Sequence, residues 1–302
     1  MSIKLNCLRK CPKINRPFKL IISVSQAIEE AVSLLTVCDT PRLDAELLLG
    51  FCLGKNRTWL KTWPEQCLAH HQLSYYQTLV SQRASGMPLA YITGCKEFWS
   101  RSFTVGQGVL IPRPETETLI EQALNLIKSE MNASILDLGT GSGIIAITLA
   151  AERPASQILA IDRSQAALEI ARLNSHQHGT TNVTFQQSHW FDSVFPKKTF
   201  DLIVSNPPYL AAGDSHLFGD GIRYEPSEAL VAGPDGLDDI LSIAHGALPY
   251  LRPSGFLLLE HGYNQAVAVA QVLAKFGYCD IQHFPDLSGH LRVTQARQAG
   301  FL

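Results

Sequence analysis

Ile135-Leu136-Asp137-Leu138-Gly139-Thr140-Gly141-Ser142-Gly143, followed at once by an apolar run from Ile144 to Ala151, reads as a short buried strand, a glycine turn and a helix. Glycines at such a turn let backbone approach a ligand at a helix N-terminus. The spacing is G-x-G-x-G, and the third glycine of a dinucleotide fingerprint would fall at position 144, where the chain has Ile. That counts against a nicotinamide dinucleotide. The next apolar strand, Gln157 to Ile161, runs into Asp162, about twenty residues on, where a carboxylate can accept hydrogen bonds from both hydroxyls of a ribose. An adenosine-containing cofactor is the leading expectation, and a helix cap at Ser164 is the plainer use of the same Asp.

Outward from this unit the alternation continues. Val183 to Gln186, Phe200 to Ser205 and Phe256 to Glu260 read as further strands, with helices such as Ala166 to Asn174 and Ala266 to Phe276 between them. This predicts a doubly wound, mainly parallel α/β sheet. Two more short strands, Asp280 to Phe284 and Leu291 to Thr294, have no helix of ordinary length between them. On the N-terminal side, Phe98 to Ile111 is β-prone and broken by Gly106 and Gly108, which suggests a hairpin; the stretch from Ile111 to Glu117 then opens a helix to about Glu130. From Ser23 to Gly86 apolar residues return every three or four positions, as in a small helical bundle. Ser23 with Gln26 has capping-box spacing, and Thr40 precedes Pro41 as an N-cap precedes a first-turn proline. The expected boundaries are a basic, disordered extension at 1–22, the helical domain at 23–95, a hairpin linker at 96–112 and the sheet domain at 113–302.

Charge narrows the partners. With 27 acidic and 25 basic residues among 302, no global field draws in nucleic acid or an anionic membrane. The bundle is balanced too, where a nucleic-acid reader should be basic. Seven cysteines, with no C-x-x-C pair and no zinc-ligand spacing to histidine, read as reduced thiols in a cytosol, and no metal site is expected. The extension carries Lys4, Arg9, Lys10, Lys13, Arg16 and Lys19 ahead of the first acid, Glu29, and Leu20-Ile21-Ile22 is too short for a signal-peptide core. An organellar transit peptide is the lesser reading. No run approaches a membrane span in length.

Two more strand ends carry chemistry. Ser188-His189-Trp190-Phe191-Asp192 follows the third strand, placing Trp190 where it can pack on an adenine ring. Asn206-Pro207-Pro208-Tyr209 follows Phe200 to Ser205, at the edge where open α/β sheets bind ligands. Asn offers a carbonyl acceptor, the prolines fix φ and lack N–H groups, and Tyr adds a flat face. A planar amide or an exocyclic amine suits such a clamp. A proline-terminated strand end and a flexible docking peptide are the plainer readings, and the preceding strand argues against a tail.

Several segments together resemble the HemK/PrmC family of release-factor N5-glutamine methyltransferases: Pro88 to Gly94 with Phe98, Val109 to Glu117, Asp137 to Gly143, Asn206 to Tyr209, Tyr224-Glu225-Pro226 with Ala229-Leu230, Gly233 to Leu237, and Asp286 to Arg292. The resemblance implies a class I, Rossmann-like, seven-stranded sheet ending in a hairpin, with a small helical domain joined to it by a β-hairpin. It implies that Gly139, Thr140, Gly141, Ser142, Gly143, Asp162, Trp190 and Asn206 hold S-adenosylmethionine. Asn206, Pro207, Pro208 and Tyr209 would hold the glutamine of a class 1 release factor, with Asn206, Pro207 and Tyr209 serving catalysis. It further implies a cytoplasmic monomer with no stable nucleic-acid or membrane partner. An adenine-N6 or guanine-N2 methyltransferase of DNA or RNA is the alternative, since Asn-Pro-Pro-Tyr is shared with those enzymes. Arg113 and Glu225 lie in family segments but read as members of surface ion pairs and stay outside the predicted site.

Overall fold

Two stretches of chain, meeting at Thr93 and Gly94, each bury a core of their own. The computed structural model describes residues 22–299 other than 37, 196, 197 and 220. All but the last residue of the expected basic extension lies outside the described residues.

The first unit is helical: α1 (Val24–Leu34), α2 (Pro41–Leu53), α3 (Arg57–Thr62), α4 (His70–Ala84) and α5 (Leu89–Thr93). Ala27, Ala31, Leu35, Leu48, Leu49 and Tyr76 form the centre of its apolar cluster, matching the three-and-four spacing of the sequence. Ser23 and Gln26 make the reciprocal capping box. Thr40 departs from expectation: its hydroxyl donates to the Asp44 carboxylate at 3.1 Å and makes no cap to the backbone. Asp44 is itself buried against Arg83 at 2.7 Å, a pair whose loss of either member leaves a desolvated charge.

The second unit opens with a hairpin, β1 (Cys95–Phe98) and β2 (Arg101–Thr104), turned by Trp99 and Ser100 at φ 52° and 55°. Two positive-φ residues are what a two-residue primed turn requires. The hairpin therefore ends earlier than expected. Gly108 belongs to the following turn, closed by the Val109 N–H donating to Gly106 O. Helix α6 (Glu117–Leu126) stops short of the expected Glu130, because Ile127 turns into the core while the Arg153 guanidinium satisfies the carbonyls of Leu124 and Ile127.

Strands and helices then alternate: β3 (Ser134–Leu138), α7 (Ile144–Glu152), β4 (Gln157–Asp162), α8 (Gln165–Gln177), β5 (Val183–Gln187), β6 (Phe200–Ser205), α9 (Asp238–Ala247), β7 (Leu251–Glu260), α10 (Ala266–Lys275), β8 (Tyr278–Pro285) and β9 (Leu291–Gln298). The seven strands lie in the order β5-β4-β3-β6-β7-β9-β8, with β9 antiparallel to both neighbours. Alternate residues of the central strands enter opposite cores. Ile135, Ile158, Leu202 and Leu258 join α6 and α7 on one face, while Leu136, Leu159, Ile203 and Leu257 join α9 and α10 on the other. Truncating any of these to Ala would cost roughly 2–5 kcal/mol. The order in which strands are added reverses at the parallel β3–β6 pair, so the loops that leave those two strands emerge side by side.

Candidate active site

The loop after β3 is shaped by backbone. Gly139 and Thr140 both donate their N–H groups to Ile161 O at 2.9 Å, folding the turn over the end of β4. Gly141 N–H donates to Asp162 Oδ2 at 2.9 Å, and Ser164 N–H to Oδ1 at 2.8 Å. The cap of α8 is Ser164, whose hydroxyl accepts from Ala167 N–H, so Asp162 is free of that duty. Beneath the loop Asp137 is fully buried and accepts from the Thr140 hydroxyl and Ala146 N–H. Burial pushes its carboxyl up to about 7, against the pull of those two hydrogen bonds. Gly143, at φ 86°, cannot carry a side chain. A Cβ there would lie 2.7 Å from Ile147 Cδ1 and 3.1 Å from Ala171 Cβ, where α7 passes α8.

Two clefts open along this edge. One, of about 540 Å³, is lined by Gly139, Gly141, Asp162, Trp190, Asn206 and Pro208 among others. The second, of about 330 Å³, is lined by Asn206, Pro207, Tyr209, Arg113, Gln265 and Arg292 among others. Asn206 belongs to both. Thr140, Ser142 and Gly143 line neither; Thr140 and Ser142 are buried, and their part is in the shape of the loop. Pro208 faces the larger cleft, apart from Pro207 and Tyr209. Trp190 has φ 43°, in a turn held by the Ser188 hydroxyl, which donates to Trp190 O and accepts from Ser193 N–H.

Side chains from remote segments set the loop after β6. Asn206 Nδ2 donates to the Thr116 hydroxyl at 3.2 Å, and among the described residues Oδ1 has no donor. Thr116 is fully buried just ahead of α6. The Tyr209 hydroxyl lies 3.5 Å from Glu260 Oε1, and burial raises the pKa of both groups, that of Glu260 to about 7. Hydrogen bonding by Thr116 and the charge of Arg292 pull Glu260 back down. Gln265 Nε2 donates to Tyr209 O at 3.0 Å and to Gly236 O at 3.2 Å, while its Oε1 accepts from Gly262 N–H. At Gly236 a Cβ would meet Tyr209 O at 2.3 Å.

Thr116, Glu260 and Gln265 escape the sequence reading. Thr116 sits in the quoted Arg-Pro-Glu-Thr-Glu segment and Glu260 ends an expected strand, whereas nothing in the sequence marks Gln265. The Arg113–Glu225 pair is no surface bridge. Its N–O distance is 2.6 Å, the Glu225 side chain is 2% exposed, and Oε2 also accepts from Ile111 N–H at 2.9 Å.

Residues 26–94 match the family model of the PrmC N-terminal domain, and residues 129–287 match that of a methyltransferase domain. The release factor glutamine methyltransferase of Shewanella oneidensis is 44% identical over 280 residues, covering 92% of this chain and 97% of that protein. That of Coxiella burnetii is 44% identical over 279 residues, covering 92% and 100%. Among solved structures, the hMettl16 catalytic domain in complex with MAT2A 3'UTR hairpin 6 aligns at TM-score 0.54 and 18% identity, over 74% of this chain and 82% of that one. A methyltransferase from Pyrococcus furiosus aligns at TM-score 0.50 and 18% identity, over 76% and 100%. At such identity these two bear on the fold alone.

Proposed function

The chain belongs to the release factor glutamine methyltransferase family, and on that premise we propose that it methylates the side-chain amide nitrogen (N5) of the glutamine in the Gly-Gly-Gln motif of class 1 peptide chain release factors. The observation that carries this reading is the pair of clefts meeting at Asn206, whose Oδ1 takes no donor among the described residues.

The larger cleft suits S-adenosylmethionine. Asp162 presents a carboxylate already oriented by two N–H groups, with lone pairs left for a ribose, and Trp190 offers a face for adenine. At Gly141 a Cβ would meet nothing within 4 Å, so backbone there is open to close approach. When bound, the cofactor supplies an electrophilic methyl group. The chain's own residues prepare the acceptor. Asn206 Oδ1 and the Pro207 carbonyl accept the two amide hydrogens, which fixes the nitrogen and pushes electron density toward it. Tyr209 packs on the amide plane. No strong base is called for, because the cation left when a neutral amide nitrogen takes a methyl group is acidic enough to lose its proton to water. Thr116 and Gln265 hold the Asn206 amide and the Tyr209 carbonyl in place.

The helical unit, close to charge neutrality, suits a protein substrate better than a nucleic acid. We take the enzyme to act as a cytoplasmic monomer on release factors without holding nucleic acid. Labelled S-adenosylmethionine with purified release factor, tRNA, rRNA and DNA tests this. Label is expected at the loop glutamine, read by mass spectrometry of that peptide; label in nucleic acid and none in the release factor would overturn it.

A further inference from the structure

Three residues line both clefts: Leu110, Asn206 and Ala229. Whatever passes between the clefts passes among them. Leu110 lines both clefts between two buried neighbours, Val109, which borders the larger cleft alone, and Ile111, which borders neither. Ala229 closes a short helical turn, Ser227–Ala229, whose last N–H donates to Pro226 O at 2.9 Å. The walls are tied to one another. The buried Glu225 carboxylate takes the Ile111 N–H and the Arg113 guanidinium, joining the segment of Leu110 to that of Ala229. On the other side Leu230 O accepts from Leu210 N–H at 2.8 Å, joining Ala229's turn to the loop that carries Asn206. A buried, charge-assisted staple on one flank and a backbone pair on the other leave the passage little freedom to widen.

Resting on the function proposed above, we infer that Leu110 and Ala229 are specificity-determining walls that restrict the transferred group to methyl. In transfer of any alkyl group the amide nitrogen bonds to the group's first carbon as that carbon's bond to sulfur breaks. Sulfur keeps the electron pair and the amide proton leaves to solvent. Only the bulk in the passage differs.

The test uses the full chain, a release factor as acceptor, and S-adenosylmethionine or its S-allyl analogue as donor. Leu110→Ala should raise the ratio of allyl to methyl transfer by about tenfold or more, and Ala229→Val should lower methyl transfer by about tenfold, the size of a modest overpacking penalty. A second readout needs no turnover: calorimetry with a bisubstrate compound in which adenosine and the glutamine side-chain nitrogen are joined by a short carbon bridge. Ala229→Val should weaken that compound by a similar factor and S-adenosylhomocysteine, which has no bridging group in the passage, by much less; the retained S-adenosylhomocysteine binding also shows the variant to be folded. Glutamine methylation by wild type with no change in ratio or bisubstrate affinity in either variant would overturn the passage alone. Absence of glutamine methylation by wild type would overturn the proposed function and this inference with it.

Discussion

The loops after β3 and β6 leave adjacent strands of one sheet, yet they are held by opposite means. Gly139 to Gly143 is fixed mostly by backbone groups and by partners no further along the chain than Asn174, whose Nδ2 donates to Ser142 O at 2.8 Å, whereas Asn206 to Tyr209 is fixed by side chains of Thr116, Glu260 and Gln265, more than fifty residues away. A loop that receives an invariant cofactor can be written locally. A loop that must orient an acceptor atom draws its rigidity from the whole domain.

Four substitutions would break or sharpen this contrast. Asn206→Ala should lower release-factor methylation by about 100-fold or more, as loss of a preorganised polar contact does elsewhere. Methylation equal to wild type would refute the assignment of that loop. Asp162→Ala should weaken S-adenosylhomocysteine roughly 10- to 100-fold by calorimetry, through lost ribose acceptors and a freed Gly141 N–H, with less effect on turnover at saturation. Gly143→Ala should cost about 2 kcal/mol or more in urea unfolding, from the left-handed backbone and the contact with Ile147. An unchanged midpoint would mean that α7 and α8 can part there.

The last effect concerns pH. A buried carboxyl lies beneath each loop, Asp137 under the first and Glu260 under the second, each raised to about 7 by burial. Between the ordinary carboxyl range and pH 7 the folded chain keeps protons that the unfolded chain has released. Stability therefore falls as pH rises through that window, by up to about 1.4 kcal/mol per pH unit for each group. Glu260→Gln should remove roughly half of that slope in urea titrations at pH 5, 6 and 7. A slope as steep as wild type would show that Glu260 does not bind its proton in this window.

Much of this was legible in the sequence because much of it is local. Strand Phe200–Ser205 has the bounds its apolar run suggests, and Gly139, Gly141, Asp162, Trp190 and Asn206 line one cleft as four successive strand ends should. What was not legible depends on distant partners. The hairpin turns at Trp99 and Ser100, residues that do not advertise positive φ, and α6 ends where Arg153 takes its carbonyls. Glu225 looks like any surface acid until the fold buries it against Ile111 and Arg113.

The stretch between Leu210 and Gly233 is closed at its base, where Leu210 pairs with Leu230 and Ala232, and Ala212 with Gly233. Residues added or exchanged beyond that neck, around Asp214 to Phe218, alter the rim of the acceptor cleft without pulling on Asn206 or on the glycine loop. That outer part of the excursion is thus separable from Glu225 and Ala229, which are tied into the staple and the passage. If the smaller cleft receives the acceptor, exchanging Asp214 to Phe218 between related enzymes should shift acceptor preference while leaving S-adenosylhomocysteine affinity as it was.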